Sequence, residues 1–158
     1  MLELESILVD RIKEAVPEGT HVLTANDLAG VREHGQMTPA VHVYPDATRP
    51  DSTEIIRAAP GTPAQQRVTQ TWAVVVVTRN ASNQRSAEHA RSDASELLTL
   101  MVATLLGWLP DKAFTRLFLA AAPRPFFGAG GVVYFPLLFT TSMTLHGVTA
   151  DGRASTAT

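Results

Sequence analysis

The sequence predicts an α+β domain: a mainly antiparallel sheet of four to five strands, two main helices packed on one of its faces, and a projecting β-arm or loop. Three observations predict it. Two stretches, one at the N-terminus and one past the midpoint, carry apolar residues at the 3–4 spacing of a helix face. Several others alternate polar and apolar side chains, as half-solvated strands do. The links between strands look hairpin-like, which favours antiparallel pairing. At 158 residues, 45% hydrophobic and 18% charged, the chain has the size and composition of one domain with its own core, over residues 1–148.

Taken in order, residues 3–16 read as an amphipathic helix, with Leu4, Ile7, Leu8, Ile12 and Ala15 on one face and Glu5, Asp10, Lys13 and Glu14 on the other. Pro17 and Gly19 end it. His21–Thr24 is a short strand. Asn26-Asp27 is placed to cap a brief helix through Glu33, closed by Gly35. Pro39–Tyr44 alternates cleanly, with His42 and Tyr44 on one face, an arrangement that suits an edge or an interface. Residues 46–64 are rich in Pro, Asp, Thr, Ser and Gly and read as an extended loop or arm. Gln65–Asn80 is a strand candidate long enough to outrun a compact body. A second helix follows from Ser86 to about Leu106, with Ala87, Ala90, Ala94, Leu97, Leu98, Met101 and Leu105 inward, and Gly107 as its stop. Arg116–Ala121 is a strand candidate and Phe127–Gly131 a turn. Val132–His146 is a second long strand, with Phe135, Leu137, Phe139, Thr141, Met143 and Leu145 on one face. Residues 149–158 are small and polar, and read as a flexible tail.

Composition narrows function. The formal net charge of −2 gives no whole-chain pull toward a polyanion, and the arginines are dispersed singly, so sequence-specific nucleic-acid binding is not expected. Cysteine is absent, which excludes disulfides, thiolate metal sites and cysteine nucleophiles. The N-terminus has no basic segment ahead of an apolar core, and no apolar run approaches the ~20 residues of a membrane span. A soluble protein made in the cytoplasm, without membrane partners, is expected. Of the thirteen basic residues, eleven are Arg; only Lys13 and Lys112 are Lys. That bias suits interfacial ion pairs, but the Arg codons of a GC-rich genome explain it better.

No chemical site emerges. The GAGG run at 128–131 precedes a strand and has no Lys nearby, so it reads as a hairpin turn and not a phosphate loop. Glu88, His89, Asp93 and Glu96 share a helix, but a solvated face explains them better than a metal site. No G-x-S-x-G elbow is present. The expectation is a chain with no catalytic, cofactor-binding or metal residues, and not an enzyme.

The long strand carries the most information. Trp72–Val77 is apolar on both faces and belongs at a sheet's centre; Gln65–Thr71 is polar except for Val68. The closing strand divides the same way, with Thr140, Ser142, Thr144 and His146 along one face of its end. Two such strands can pair as a ribbon beyond the core. A bare two-stranded ribbon is marginal in water and gains stability when a neighbouring subunit covers it. Repeated head-to-tail, that contact closes a ring. Arg49, Asp51, Glu54, Arg57, Arg67 and Gln70 are the candidate subunit-interface residues, with Asp51 or Glu54 as acidic partners for Arg67.

These same segments resemble a known family. An N-terminal helix, the strand PAVHVYP, a loop, the strand QQRVTQTWAVVVVTRN, an alanine-rich helix leaving through LLGWLP, and the strand GGVVYFPLLFTTSM follow one another over residues 3–146. Together they look like the tail terminator proteins of tailed bacteriophages, in particular the Mu-like contractile-tailed group. The resemblance implies a virion structural protein forming a hexameric ring on the head-proximal end of the tail tube. Such a ring ends tube polymerisation and offers a surface for head-to-tail joining. Implied partners are further copies of the chain, the tail tube protein, the head–tail connector or neck protein and the tail sheath, with assembly in the host cytoplasm and DNA passing through the lumen. Another ring-forming phage morphogenesis protein (a neck or head-completion protein, or a tube subunit) is the alternative, and a small α+β enzyme or ligand-binding domain a third.

Overall fold

The computed structural model describes residues 3–25, 27, 35, 37–52, 62–79 and 84–147, with 84–93 described as helical backbone only. Two helices and a six-stranded mixed sheet result: α1 (Glu3–Ala15), β1 (His21–Thr24), β2 (Ala40–Pro50), β3 (Gln65–Arg79), α2 (Gln84–Leu105), β4 (Phe118–Ala121), β5 (Phe126–Phe127) and β6 (Val132–His146). The strands lie in the order β1-β2-β3-β6-β4, and β5 also pairs with β6. The α+β expectation holds, with one correction to the sheet. β1 runs parallel to β2, and every other pairing is antiparallel. A parallel neighbour requires a crossover instead of a hairpin, which the segment between Thr24 and Ala40 supplies. The sixth strand is the two-residue β5, too short to carry a pattern of its own.

Each helix forms for local reasons. α1 opens with Glu3 and Glu5 and closes with Lys13, matching the polarity of its dipole, and buries Leu4, Leu8, Val9 and Ile12. α2 ends at Leu105, where Gly107 takes φ 75°, a left-handed conformation that glycine adopts without Cβ strain. Both helices pack on the same sheet face. There Leu4, Leu8 and Ile12 of α1 and Leu97, Met101 and Leu105 of α2 meet Val41, Val43, Trp72, Val74, Val76, Leu137 and Phe139 in one core, with Leu98 half-buried against it. On the opposite face Ala40, Ala73, Val75, Val77 and Val132 form a second buried cluster, joined by Tyr44, Tyr134 and Leu138. Two covered faces are what the unbroken apolar run Trp72–Val77 requires.

The segment expected to be loop from residue 46 is strand as far as Pro50. β2 continues beside β3 through Pro50↔Val68, with a bulge at Asp46. Pro45 and Pro50 are tolerated because β1 ends at Thr24↔Val43; beyond that point no described strand pairs with that side of β2, and a missing N–H costs no ladder bond among the described residues. Residues 53–61, the middle of the expected arm, lie outside the described residues, as do most of the brief helix expected from Asn26 to Glu33 and the tail 149–158. The GAGG run is a turn, as expected: Gly130 and Gly131 have φ 67° and 75°, and the Gly128 N–H donates to Val132 O at 2.8 Å. No described helix is long and apolar enough to cross a membrane.

Candidate functional site

The polar end of the sheet is built by the continuation of β3 and β6 past the residues of the two apolar clusters. Their register is unbroken from Arg79↔Val132 to Gln65↔His146, so both strands are paired over all fifteen residues. The expected pairing of the two long strands is therefore present, but not as a bare projecting ribbon: β2 flanks it as far as Pro50, and Val68, Gln70 and Thr141 are buried. Strand alternation sorts its side chains. Arg67, Thr69 and Thr71 share a face with Thr140, Ser142 and Thr144, while Val68 and Gln70 face the helix side with Thr141 and Met143.

Hydroxyls and one ion pair tie this end together. The Asp51 N–H donates to Arg67 O at 3.0 Å, and its carboxylate lies 3.2 Å from Arg67 Nε. The Thr69 hydroxyl donates to the same carboxylate at 2.5 Å, which leaves Ser142 as the donor in the 2.8 Å contact between the Ser142 and Thr69 hydroxyls. Gln66 Nε2 reaches Ser52 O at 3.2 Å. Across β6, the Thr115 N–H donates to Ser142 O at 2.8 Å, the Ser142 N–H donates to the Thr115 hydroxyl at 2.8 Å, and the Thr141 hydroxyl donates to Thr115 O at 2.6 Å. A shallow groove of about 420 Å³, lined by Arg67, Thr69, Thr115, Arg116, Thr140 and Ser142 among others, runs along this seam.

The candidate interface residues do not all fall together. Arg49 and Arg67 are exposed here, Arg49 in register with Thr69. Asp51, proposed as a partner for Arg67, is already that partner within the same chain. Glu54 and Arg57 lie outside the described residues. Gln70 is a correction. It is 2% exposed, accepts a 3.3 Å bond from Trp72 Nε1, and sends its amide to Met143 Sδ at 3.7 Å, so it serves the core and not a surface. His42 is a second correction. β2 is an interior strand at that point, flanked by β1 and β3, and His42 is buried with its ring edge-on to Tyr134. Burial pushes the His42 imidazole pKa down, against the pull of the Asp27 carboxylate; burial, then the Asp46 carboxylate, pushes the Tyr44 phenol up. Both groups are thus neutral near pH 7.

Among the described residues no three His, Asp or Glu come together in a way that holds a metal ion. The Thr115 strap over β6 was not legible in the sequence, since hydroxyl pairing between distant segments leaves no periodic signal. An apolar rim at the sheet edge was missed too. Phe118, Leu119, Phe126 and Phe127 belong to short strands yet stay exposed.

Comparison with known proteins adds the last observation. Residues 2–150 match the family model described as phage tail terminator protein. Among solved structures, a chain from the virion of a native gene transfer agent particle is similar at 15% identity and a TM-score of 0.40, over 89% of this chain and 86% of that one; likeness at that level carries no weight here. No curated protein sequence matches.

Proposed function

Because this chain belongs to the phage tail terminator family, and so has a structural role in the phage tail and a place in the virion, we propose that it closes into a ring, of about six copies, on the head-proximal end of the tail tube. The ring ends tube polymerisation and presents the surface to which the connector or neck protein binds. In a contractile, Mu-like tail the sheath is a further neighbour. This reading assigns the chain no catalytic step and no cofactor.

The observation that carries it is the family match over 2–150, and the polar end of the β3–β6 ladder supports it. That end extends a rigid, hydrogen-bonded platform past the apolar clusters and keeps Arg49 and Arg67 in solvent, available to a neighbouring subunit or to the tube. Arg suits such contacts, because its planar fork can bind a carboxylate with two parallel bonds and sheds water readily.

Electron microscopy tests the proposal. Purified protein, alone or added to tail tubes, should give single rings, and phage lacking functional protein should make overlong tails that fail to join heads. Long stacks of the purified protein would instead identify a tube subunit. Tails of normal length in its absence would end the terminator reading.

A further inference from the structure

The β4–β5 edge carries a surface that the polar end does not explain. Phe118, Leu119, Phe126 and Phe127 are 58, 38, 52 and 77% exposed along the outer side of β6, Phe118 and Phe126 on the sheet face away from the helices (Phe126 stacked on Tyr134 at 4.7 Å) and Leu119 and Phe127 on the helix face. Four large apolar side chains left exposed along one sheet edge, two on each face, mark that edge as a contact surface. The backbone of the same edge is poorly suited to accept another strand. β4 has four residues and a register break between Leu119 and Ala121, and Pro123 and Pro125 follow before β5. Short strands, bulges and prolines are the devices that block edge-to-edge sheet growth. The edge therefore offers side chains, not a ladder.

Charge indicates what those side chains meet. From Lys112 to Phe127 the segment has Lys112, Arg116 and Arg124 and no carboxylate. β1 is the other edge of the sheet, and α1 packs over β1 and β2. Residues 3–24 hold five carboxylates against Arg11 and Lys13, and Glu3, Asp10, Glu14 and Glu18 are exposed. Arg11 is turned onto the Trp108 ring, 5.5 Å from its centroid. One flank of the subunit is thus apolar and basic, and the opposite flank acidic.

We propose that the β4–β5 edge of one copy packs against the acidic α1–β1 flank of the next, Phe118 and Phe127 supplying the apolar anchors and Arg124 the charge. The inference rests on the ring reading and names its subunit contact. Two different surfaces meeting head-to-tail make a heterologous contact, the kind that closes into rings when the rotation permits. Opposite charge on the two flanks fixes which edge meets which.

Two variants test it. One carries Phe118→Asp with Phe127→Asp; the other carries Asp10→Lys with Glu14→Lys, two exposed residues one helical turn apart. All four positions are exposed, and circular dichroism should show each variant folded like the parent. By light scattering and sedimentation the parent should form rings, and each variant alone should associate at least about tenfold more weakly. Mixed, the two variants retain one intact edge and one intact flank between them, so they should form a one-to-one dimer and no ring. A parent that forms rings while the Phe variant forms them equally well overturns this contact and leaves the ring reading standing. So does a mixture that restores full rings or forms no dimer. A parent that stays monomeric both in solution and on tail tubes overturns both.

Discussion

From Trp72 to Arg79, β3 supplies the helix-side core on one face and a second apolar cluster on the other; from Gln65 to Thr71 the same strand, still paired with the same β6, has no residue in either cluster, although Val68 and Gln70 are buried. The first half is held by burial. Trp72 and Phe139 face each other across the ladder, almost fully buried. The second half is held by the Asp51–Arg67 pair, by the chain of hydroxyls from Thr69 to Ser142, and by the Thr115 strap. Backbone pairing is common to both, so it cannot be what separates them. A strand can thus run on past its apolar clusters without losing its register when side-chain polar groups take over from packing.

The largest expected effect lies on the packed half. Phe139→Ala removes a ring from the centre of the core and should cost about 3–5 kcal/mol, read as a shift of the urea midpoint at constant slope. A loss below about 1 kcal/mol would mean that the core closes over the gap and that packing does not distinguish the halves. Gln70 stands at the boundary. Gln70→Ala leaves the buried Trp72 Nε1–H without its acceptor and should cost about 1–3 kcal/mol. Gln70→Glu keeps an acceptor but buries a charge at a 2% exposed position, so near pH 7 it should cost at least as much as the alanine change.

His42 probes the packed half through pH. Its folded pKa lies below the ordinary 6.5 because burial disfavours the imidazolium. Above pH 6.5 both folded and unfolded forms are neutral and there is no effect. As pH falls below 6.5 the unfolded chain takes up a proton first, so stability is lost until the lowered folded value is reached. The slope should not exceed about 1.4 kcal/mol per pH unit, the value for one proton. His42→Gln should flatten that part of the stability curve, and a curve unchanged by the substitution would contradict it. The smallest effect belongs to the polar half. Asp51→Asn weakens an ion pair that water already screens and should cost less than about 1 kcal/mol. A loss of several kcal/mol in the isolated subunit would show that this end depends on charge far more than its exposure indicates.

Much of this division was legible in the sequence. Periodicity located both helices and both long strands, because each buries a face repeatedly along its length; the glycine run marked the turn. The inward row from Phe135 to Leu145 and the polar row from Thr140 to His146 fall as the alternation required. What was missed depends on neighbours. Pro45 and Pro50 looked like loop because their tolerance rests on β1 having ended two residues earlier than Pro45. Gln70 looked like a surface residue because its reason for burial, the Trp72 N–H, is visible only once both side chains share a face. The parallel direction of β1 could not be read from four residues. Among the interface candidates, Arg49 and Arg67 fell on exposed positions, while Asp51 turned out to be engaged by its own chain.

The β3–β6 register also bears on how the subunit comes together in time. Partners in that ladder are about fifty to eighty residues apart in the chain, nearest at Arg79↔Val132 and farthest at Gln65↔His146. Each further rung closes a longer loop, so the ladder should zip from its packed end toward its polar end. The residues that would greet the tube are then the last to pair and the first to part. Amide exchange should report this as protection falling along β3 from Val76 toward Gln66. A newly made subunit would possess its core before it possessed its docking platform, and premature association through an unfinished end would be kept slow by the order of folding itself.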